Sequence, residues 1–212
     1  PGSGPWNSDS TELTYIALKE AILKIIPVAR WKLGDDTAKH MRHFFGNTGA
    51  NYRMDLEGMI AELGTARKRF ESEVGQAKRF VEMLPPGAHQ ITSRKRNGAY
   101  ARKSESTNWY YAIGGFTTWG KGRATVSNGA AGRTYKLEFE YKFFDRYNWD
   151  GGKQVTIDVP GWGPVVVTDE FMQNFHRQGL AREFNCVASI RRTFEWKQGD
   201  PIPPNQYQRG GR

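Results

Sequence analysis

The stretch Pro85-Pro86-Gly87 constrains the chain most, because two consecutive prolines stop a helix and cannot donate to a sheet ladder, and the glycine beside them favours a change of direction. Hydrophobic periodicity changes across it. Upstream, apolar residues recur every three to four positions. Within residues 9–26, Leu13, Ile16, Ala17, Leu23 and Ile26 fall near one helix face, and Pro27 is expected to end the helix. Residues 35–45, DDTAKHMRHFF, predict a second helix with Asp35 or Asp36 as N-cap and Gly46 just beyond its end. Residues 55–84 predict one long helix, weakened at Gly64, with Phe70, Val74, Ala77, Val81 and Leu84 along its apolar side.

Downstream the period shortens to two. Residues 109–126, WYYAIGGFTTWGKGRATV, and 134–144, TYKLEFEYKFF, are rich in aromatic and β-branched residues. In the second, Tyr135, Leu137, Phe139 and Tyr141 alternate with Lys136, Glu138, Glu140 and Lys142, as in a half-buried strand. Residues 153–159 and 164–167 predict two short strands joined by a Pro-Gly turn. Thr168, followed by Asp169 and Glu170, predicts the N-cap of a late helix over 168–184, and CVASIRRTFEW (186–196) a last strand. The expected fold is therefore α+β: a helical region at 9–86, then a curled, mainly antiparallel sheet with one late helix at 87–198. Residues 1–8 read as a linker or cloning scar and 199–212 as a polar tail.

Charge is unevenly placed. The net +9 comes mostly from residues 89–212, where 19 Lys and Arg face 11 Asp and Glu, against 12 and 11 before them. A cationic half of this kind favours polyanions, and a generally solubilising surface is the plainer reading. With Cys186 alone the chain forms no internal disulfide, and it lacks paired Cys and His spacings for structural zinc. The most apolar run, YIALKEAILKIIPVA, is too short and too charged to span a bilayer, so no transmembrane segment is expected.

The polar residues of DRYNWDGGK, 145–153, gather where a long strand gives way to a Gly-Gly turn. Clustered carboxylates there suit general acid/base work or a hard divalent cation; an Asx turn capping backbone amides is the structural alternative. His176 follows Phe175 in the late helix, at the edge of its apolar face, where it is either a general base or phosphate contact or a boundary residue. His40 and His43, spaced i, i+3, lack a third metal ligand nearby. The basic RKRNGAYARK (94–103) is a candidate phosphate-binding loop or a solvated hairpin connection. The glycines of 114–122 lack the strand-then-helix context of a nucleotide fingerprint.

From Trp109 to Trp196 the strings NWYYAIGGFTTWGKG, FEYKFFDRYNWDGGKQVTI and VTDEFMQNFHRQGLAREF resemble C-terminal toxin domains of bacterial polymorphic toxins, including type VI secretion effectors. With GNTGANYRMDLEGMIAE the resemblance extends over residues 36–203. A more distant similarity is to colicin M-like bacteriocins, whose Asp-x-Tyr-Asp motif precedes a His-Arg pair in a curled antiparallel sheet. Asp145 and Tyr147 match. Asn148 replaces the second aspartate, with Asp150 close by, and Gln154 and Val155 stand where His-Arg should follow; the chain's one His-Arg pair is His176-Arg177.

The resemblance implies an antibacterial effector domain that hydrolyses a phosphate-containing anion such as lipid-linked peptidoglycan precursor. Asp145, Tyr147, Asp150 and His176 are the implied catalytic residues, with Asn148, Lys153 and Arg177 contacting substrate, and Asp145 and Asp150 holding Mg2+. A cognate immunity protein, acidic to match the basic half, and secretion machinery or a larger effector chain are the implied partners. Delivery into a target cell is expected, with the periplasm favoured over the cytoplasm. The alternatives are a metal-dependent nuclease toxin acting on nucleic acid, a membrane-depolarising toxin and a plain binding module.

Overall fold

The computed structural model describes residues 2–130, 132–152, 154–159 and 163–201. The chain is α+β, with a six-stranded mixed sheet that does not close. Elements run in the order α1 (Leu13–Leu33), α2 (Asp35–Phe45), β1 (Tyr52–Arg53), α3 (Leu56–Glu62), α4 (Gly64–Met83), β2 (Gly87–Thr92) and β3 (Arg96–Tyr100). They continue with α5 (Thr107–Ala112), β4 (Gly115–Gly129), β5 (Gly132–Tyr147), β6 (Gln154–Val159), β7 (Gly163–Thr168), α6 (Asp169–Arg177) and β8 (Phe184–Lys197). The sheet order is β1-β8-β5-β4-β2, with β3 also pairing β4. Strands β2, β3 and β5 lie antiparallel to β4, and β6 and β7 form a separate antiparallel ribbon.

Two compact units divide these elements. The first holds α1, α2, α5, β6, β7, α6 and the ends of β5 and β8 from Arg146 and up to Cys186. The second holds α3, α4, β2, β3, β4, β5 up to Asp145 and β8 from Val187.

In the first unit α1 differs from the sequence expectation. It runs on through Pro27 to Leu33. An interior proline costs a helix about 3 kcal/mol, and burial of Ile26, Ala29 and Leu33 on a helix packed against α2 outweighs it. The inward stripe is Tyr15, Leu18, Ile22, Ile26, Ala29 and Leu33, whereas Leu13 is 84% exposed. Neither Asp35 nor Asp36 caps α2. Asn108 does so from α5, its Oδ1 accepting from the backbone N–H of Asp36 (2.9 Å) and Thr37 (3.1 Å). Residues 109–112 are helical rather than extended because Ser106 Oγ accepts from Trp109 N and starts α5. Residues 2–8, set aside on sequence grounds as a linker, belong to the fold together with Asp9. The last carbonyls of α6, left without intrahelical partners, take their N–H groups: Asn7 N donates to His176 O (3.2 Å) and Asp9 N to Arg177 O (2.9 Å).

The second unit lays α4 along the sheet. Phe70, Val74 and Val81 are buried on it, and Phe70 meets Tyr141 edge-on at 5.2 Å. The alternation in β5 is observed as expected, with Tyr135, Leu137, Phe139 and Tyr141 inward. The long helix over 55–84 is interrupted at Leu63, which splits it into α3, capped by Asp55, and α4, which starts at Gly64. The basic loop at 94–103 includes a strand, β3. Among the described residues no helix is long and apolar enough to cross a membrane.

Candidate functional site

Strand β5 ends in the first unit at Tyr147, which is buried and stacks on Phe184 at 4.8 Å. The chain then turns at Gly151 and Gly152, whose φ values of 91° and 84° suit glycine. Within this turn Asn148 Nδ2 donates to Asp150 Oδ1 at 2.8 Å, a side chain-to-side chain bond and not the capping of local backbone amides that was the structural alternative for these residues. Gly152 N donates to Glu170 Oε1 at the start of α6. Glu170's own backbone N–H and that of Gly152 hold its carboxyl below the usual range.

The chemistry converges on a residue that motif reasoning missed. Glu183, 5% exposed and one residue before β8, accepts through Oε1 from Ser3 N (2.9 Å), Ser3 Oγ (2.6 Å) and Trp149 N (3.2 Å). Arg146 Nη2 lies 3.7 Å from its Oε2. The backbone N–H of Glu183 donates to His176 Nδ1 at 3.1 Å. That bond fixes the tautomer: Nδ1 must be the bare acceptor, so Nε2 carries the proton and donates to Gly4 O at 3.2 Å. Burial depresses the His176 pKa, Arg146 and Arg182 add to this, and Glu183 opposes it without reversing it.

Residues 2–4 lie across this cluster as a strap. Gly2 N donates to Asp150 Oδ1 at 2.6 Å, Ser3 bonds Glu183, and Gly4 accepts from His176. A side chain at residue 2 would press on Glu183 and Asn148. Folding thus brings His176 to Asn148 and Asp150, which lie well before it in sequence, and adds Glu183 and Arg146.

Arg177 is engaged elsewhere: it turns to Asp9 (3.1 Å) and to the side chains of Asn174 and Gln173 on its own helix. Asp145 is half-buried and belongs to the second unit, and Lys153 lies outside the described residues. Asp150 Oδ1 already accepts two N–H groups, an environment suited to donors rather than to Mg2+. Among the described residues no three His, Cys, Asp or Glu side chains are grouped to hold a metal. His40 and His43 are not a metal pair either: His40 Nδ1 bonds Asp36 O and His43 Nε2 bonds Ala50 O, and their rings pack on Tyr52 and Phe184.

No protein-family model and no curated protein matches the sequence. Among solved structures the chain is similar to PaeM, a colicin M-like bacteriocin produced by Pseudomonas aeruginosa. The identity is 14% and the TM-score 0.41, over 78% of this chain and 52% of that one. It is similar also to the bacteriocin syringacin M from Pseudomonas syringae pv. tomato DC3000, with 15% identity and TM-score 0.35 over 76% and 51% of the two chains. Pectocin M2 gives 15% identity and TM-score 0.33 over 90% and 64%. The chain spans about half the length of PaeM and of syringacin M.

Proposed function

We propose that this chain is an antibacterial toxin domain that hydrolyses a phosphate-containing anion in the periplasm of a target cell, with lipid-linked peptidoglycan precursor as the leading substrate. The observation that carries the reading is the meeting of His176, Asp150, Glu183 and Arg146 around one short backbone segment. The Asp145-x-Tyr147 likeness to colicin M-like bacteriocins agrees with it.

In this scheme His176 Nε2–H and Arg146 are the donors for phosphoryl oxygens, and Asp150 or Glu183 takes the proton from the attacking water. Asn148, bonded to Asp150, contacts substrate beside it; no step is assigned to Asp145, Lys153, Arg177 or a metal. Because residues 2–4 take the same hydrogen bonds, the strap must lift before substrate enters. A cognate immunity protein with an acidic surface is the expected partner, and a secretion apparatus or longer effector chain the expected carrier.

The test is expression in a bacterium with and without a periplasmic export signal. Killing only with the signal, loss of killing in Asp150→Ala and His176→Ala variants that still fold, and cleavage of purified lipid-linked precursor are expected. Undiminished killing by either variant would refute the scheme. Killing from the cytoplasm, with degradation of nucleic acid by the purified domain, would favour a nuclease instead.

A further inference from the structure

The second unit carries a cationic groove that the His176 cluster does not use. In β4 and β5, Lys121 pairs in register with Glu140 and Arg123 with Glu138, and Thr92 and Gln90 of β2 stand opposite Lys121 and Arg123. Side chains two residues apart share a sheet face, and inward positions such as Ala124, Leu137 and Phe139 are buried. These polar side chains therefore line the opposite face. Arg191 of β8 joins them, and together they border a cavity of ≈ 650 Å³.

Charge in the groove is organised around one carboxylate. Glu140, with its side chain 15% exposed, has Lys121 Nζ at 3.2 Å, Arg191 Nη2 at 3.8 Å and Lys142 Nζ at 3.9 Å. Burial alone would raise its pKa, but Lys121, Ser189 and Lys142 overcome that and hold it below the ordinary value. It is therefore ionised at neutral pH. One anion shared among three cations leaves two positive charges over, and Arg191, 84% exposed, is free to swing toward a ligand. Arg192, also on the lining, is matched by Glu57 at 2.7 Å.

We infer that this groove binds a diphosphate-bearing anion, with Lys121 and Arg191 as its principal contacts. A surplus of two positive charges across neighbouring strands suits two adjacent phosphates, and Thr92 and Gln90 add neutral donors. Single-stranded nucleic acid fits less well, because the aromatic side chain on the lining, Phe139, is 3% exposed and offers no face on which a base could stack. The groove shares no residue with the His176 cluster, so this inference stands or falls separately from the proposed hydrolysis.

The test is calorimetric titration of the full chain with inorganic pyrophosphate at low and moderate salt, with farnesyl diphosphate and a single-stranded oligonucleotide as parallel probes. Pyrophosphate should bind, more weakly at higher salt. Arg191→Ala and Lys121→Ala should each weaken binding by about tenfold or more, the scale of one lost bond between charged groups. Lys68→Ala, an exposed cation on α4, should change nothing. Equal affinity for farnesyl diphosphate means that the diphosphate alone is read, and tighter binding means that the chain beyond it contributes. Three results overturn the inference: no pyrophosphate binding at low salt, binding indifferent to both groove variants, or oligonucleotide binding through these residues without pyrophosphate binding.

Discussion

Acidification should destabilise the first unit through His40 by an amount the structure sets. The imidazole is fully buried on α2, ringed by Tyr52 at 4.6 Å, Tyr147 at 5.6 Å and Phe184 at 6.1 Å. Its Nδ1 lies 2.6 Å from the carbonyl of Asp36, which can only accept, so Nδ1 carries the proton and Nε2 is bare. That Nε2 is buried without a hydrogen-bond partner. Protonating it would place a cation in an aromatic box. Burial is the main cause that lowers the pKa to about 4; the Asp36 carbonyl and charge oppose it, and His43 and Lys39 add slightly to it. The unfolded imidazole titrates near 6.5, so between about 4 and 6.5 the unfolded chain holds more protons and stability rises with pH. The contribution is present in full above the unfolded value and is lost as pH falls through the folded one. At 1.36 kcal/mol per pKa unit the loss is about 3 kcal/mol. Urea unfolding at pH 7 and pH 4 should show it as a difference between the wild-type chain and His40→Phe, whose ring cannot titrate. Every other acid-sensitive group, His176 included, is common to both and cancels. Equal losses in the two chains, or a His40 NMR titration with its midpoint near 6.5, would refute the reasoning.

Two smaller perturbations test contacts that hold the same unit. Ser3→Ala removes the hydroxyl bond to the buried Glu183 carboxyl and keeps the backbone one, so urea denaturation should register a loss of about 1–2 kcal/mol. If the cluster acts as proposed, the same variant loosens the strap and should raise hydrolysis of precursor. Asn108→Ala leaves the first N–H groups of α2 without their acceptor and should cost about 1–2 kcal/mol in thermal or chemical unfolding.

Periodicity carried most of the fold into view. The inward residues of β5 and the Thr168 cap of α6, which accepts from Phe171 N, follow from local rules that the tertiary structure did not need to overrule. The misses came where a distant group intervened. Asp35 and Asp36 each qualify as a cap by type, but Asn108, some seventy positions away, reaches the helix end first. Pro27 breaks a helix only when nothing on both sides of it is worth burying, and Ile26 and Ala29 are. The α3–α4 break falls at Leu63, one residue before the glycine expected to weaken the helix: Leu63 alone is extended (φ −105°, ψ 108°), between helical Glu62 and Gly64.

The candidate site was legible in its parts and not in its centre. Asp150, Asn148 and His176 were singled out as residue types able to do chemistry, whereas Glu183 had no motif around it: a lone glutamate in LAREF reads as a solvent-facing charge. Its weight comes from burial, which makes each of its hydrogen bonds obligatory and turns its backbone N–H toward His176. This last contact limits the chemistry more than any side chain does. A histidine whose Nδ1 accepts from the backbone and whose pKa is depressed stays neutral with its proton on Nε2, so toward a ligand it acts as a donor and not as a base. Any proton taken up during hydrolysis must then go to a carboxylate, and Asp150 and Glu183 are the two that already accept N–H groups where the strap lies. Replacing His176 by Asn, which retains a donor but cannot titrate, should therefore spare more activity than replacing Glu183 by Gln, the reverse of the order expected were the imidazole the base.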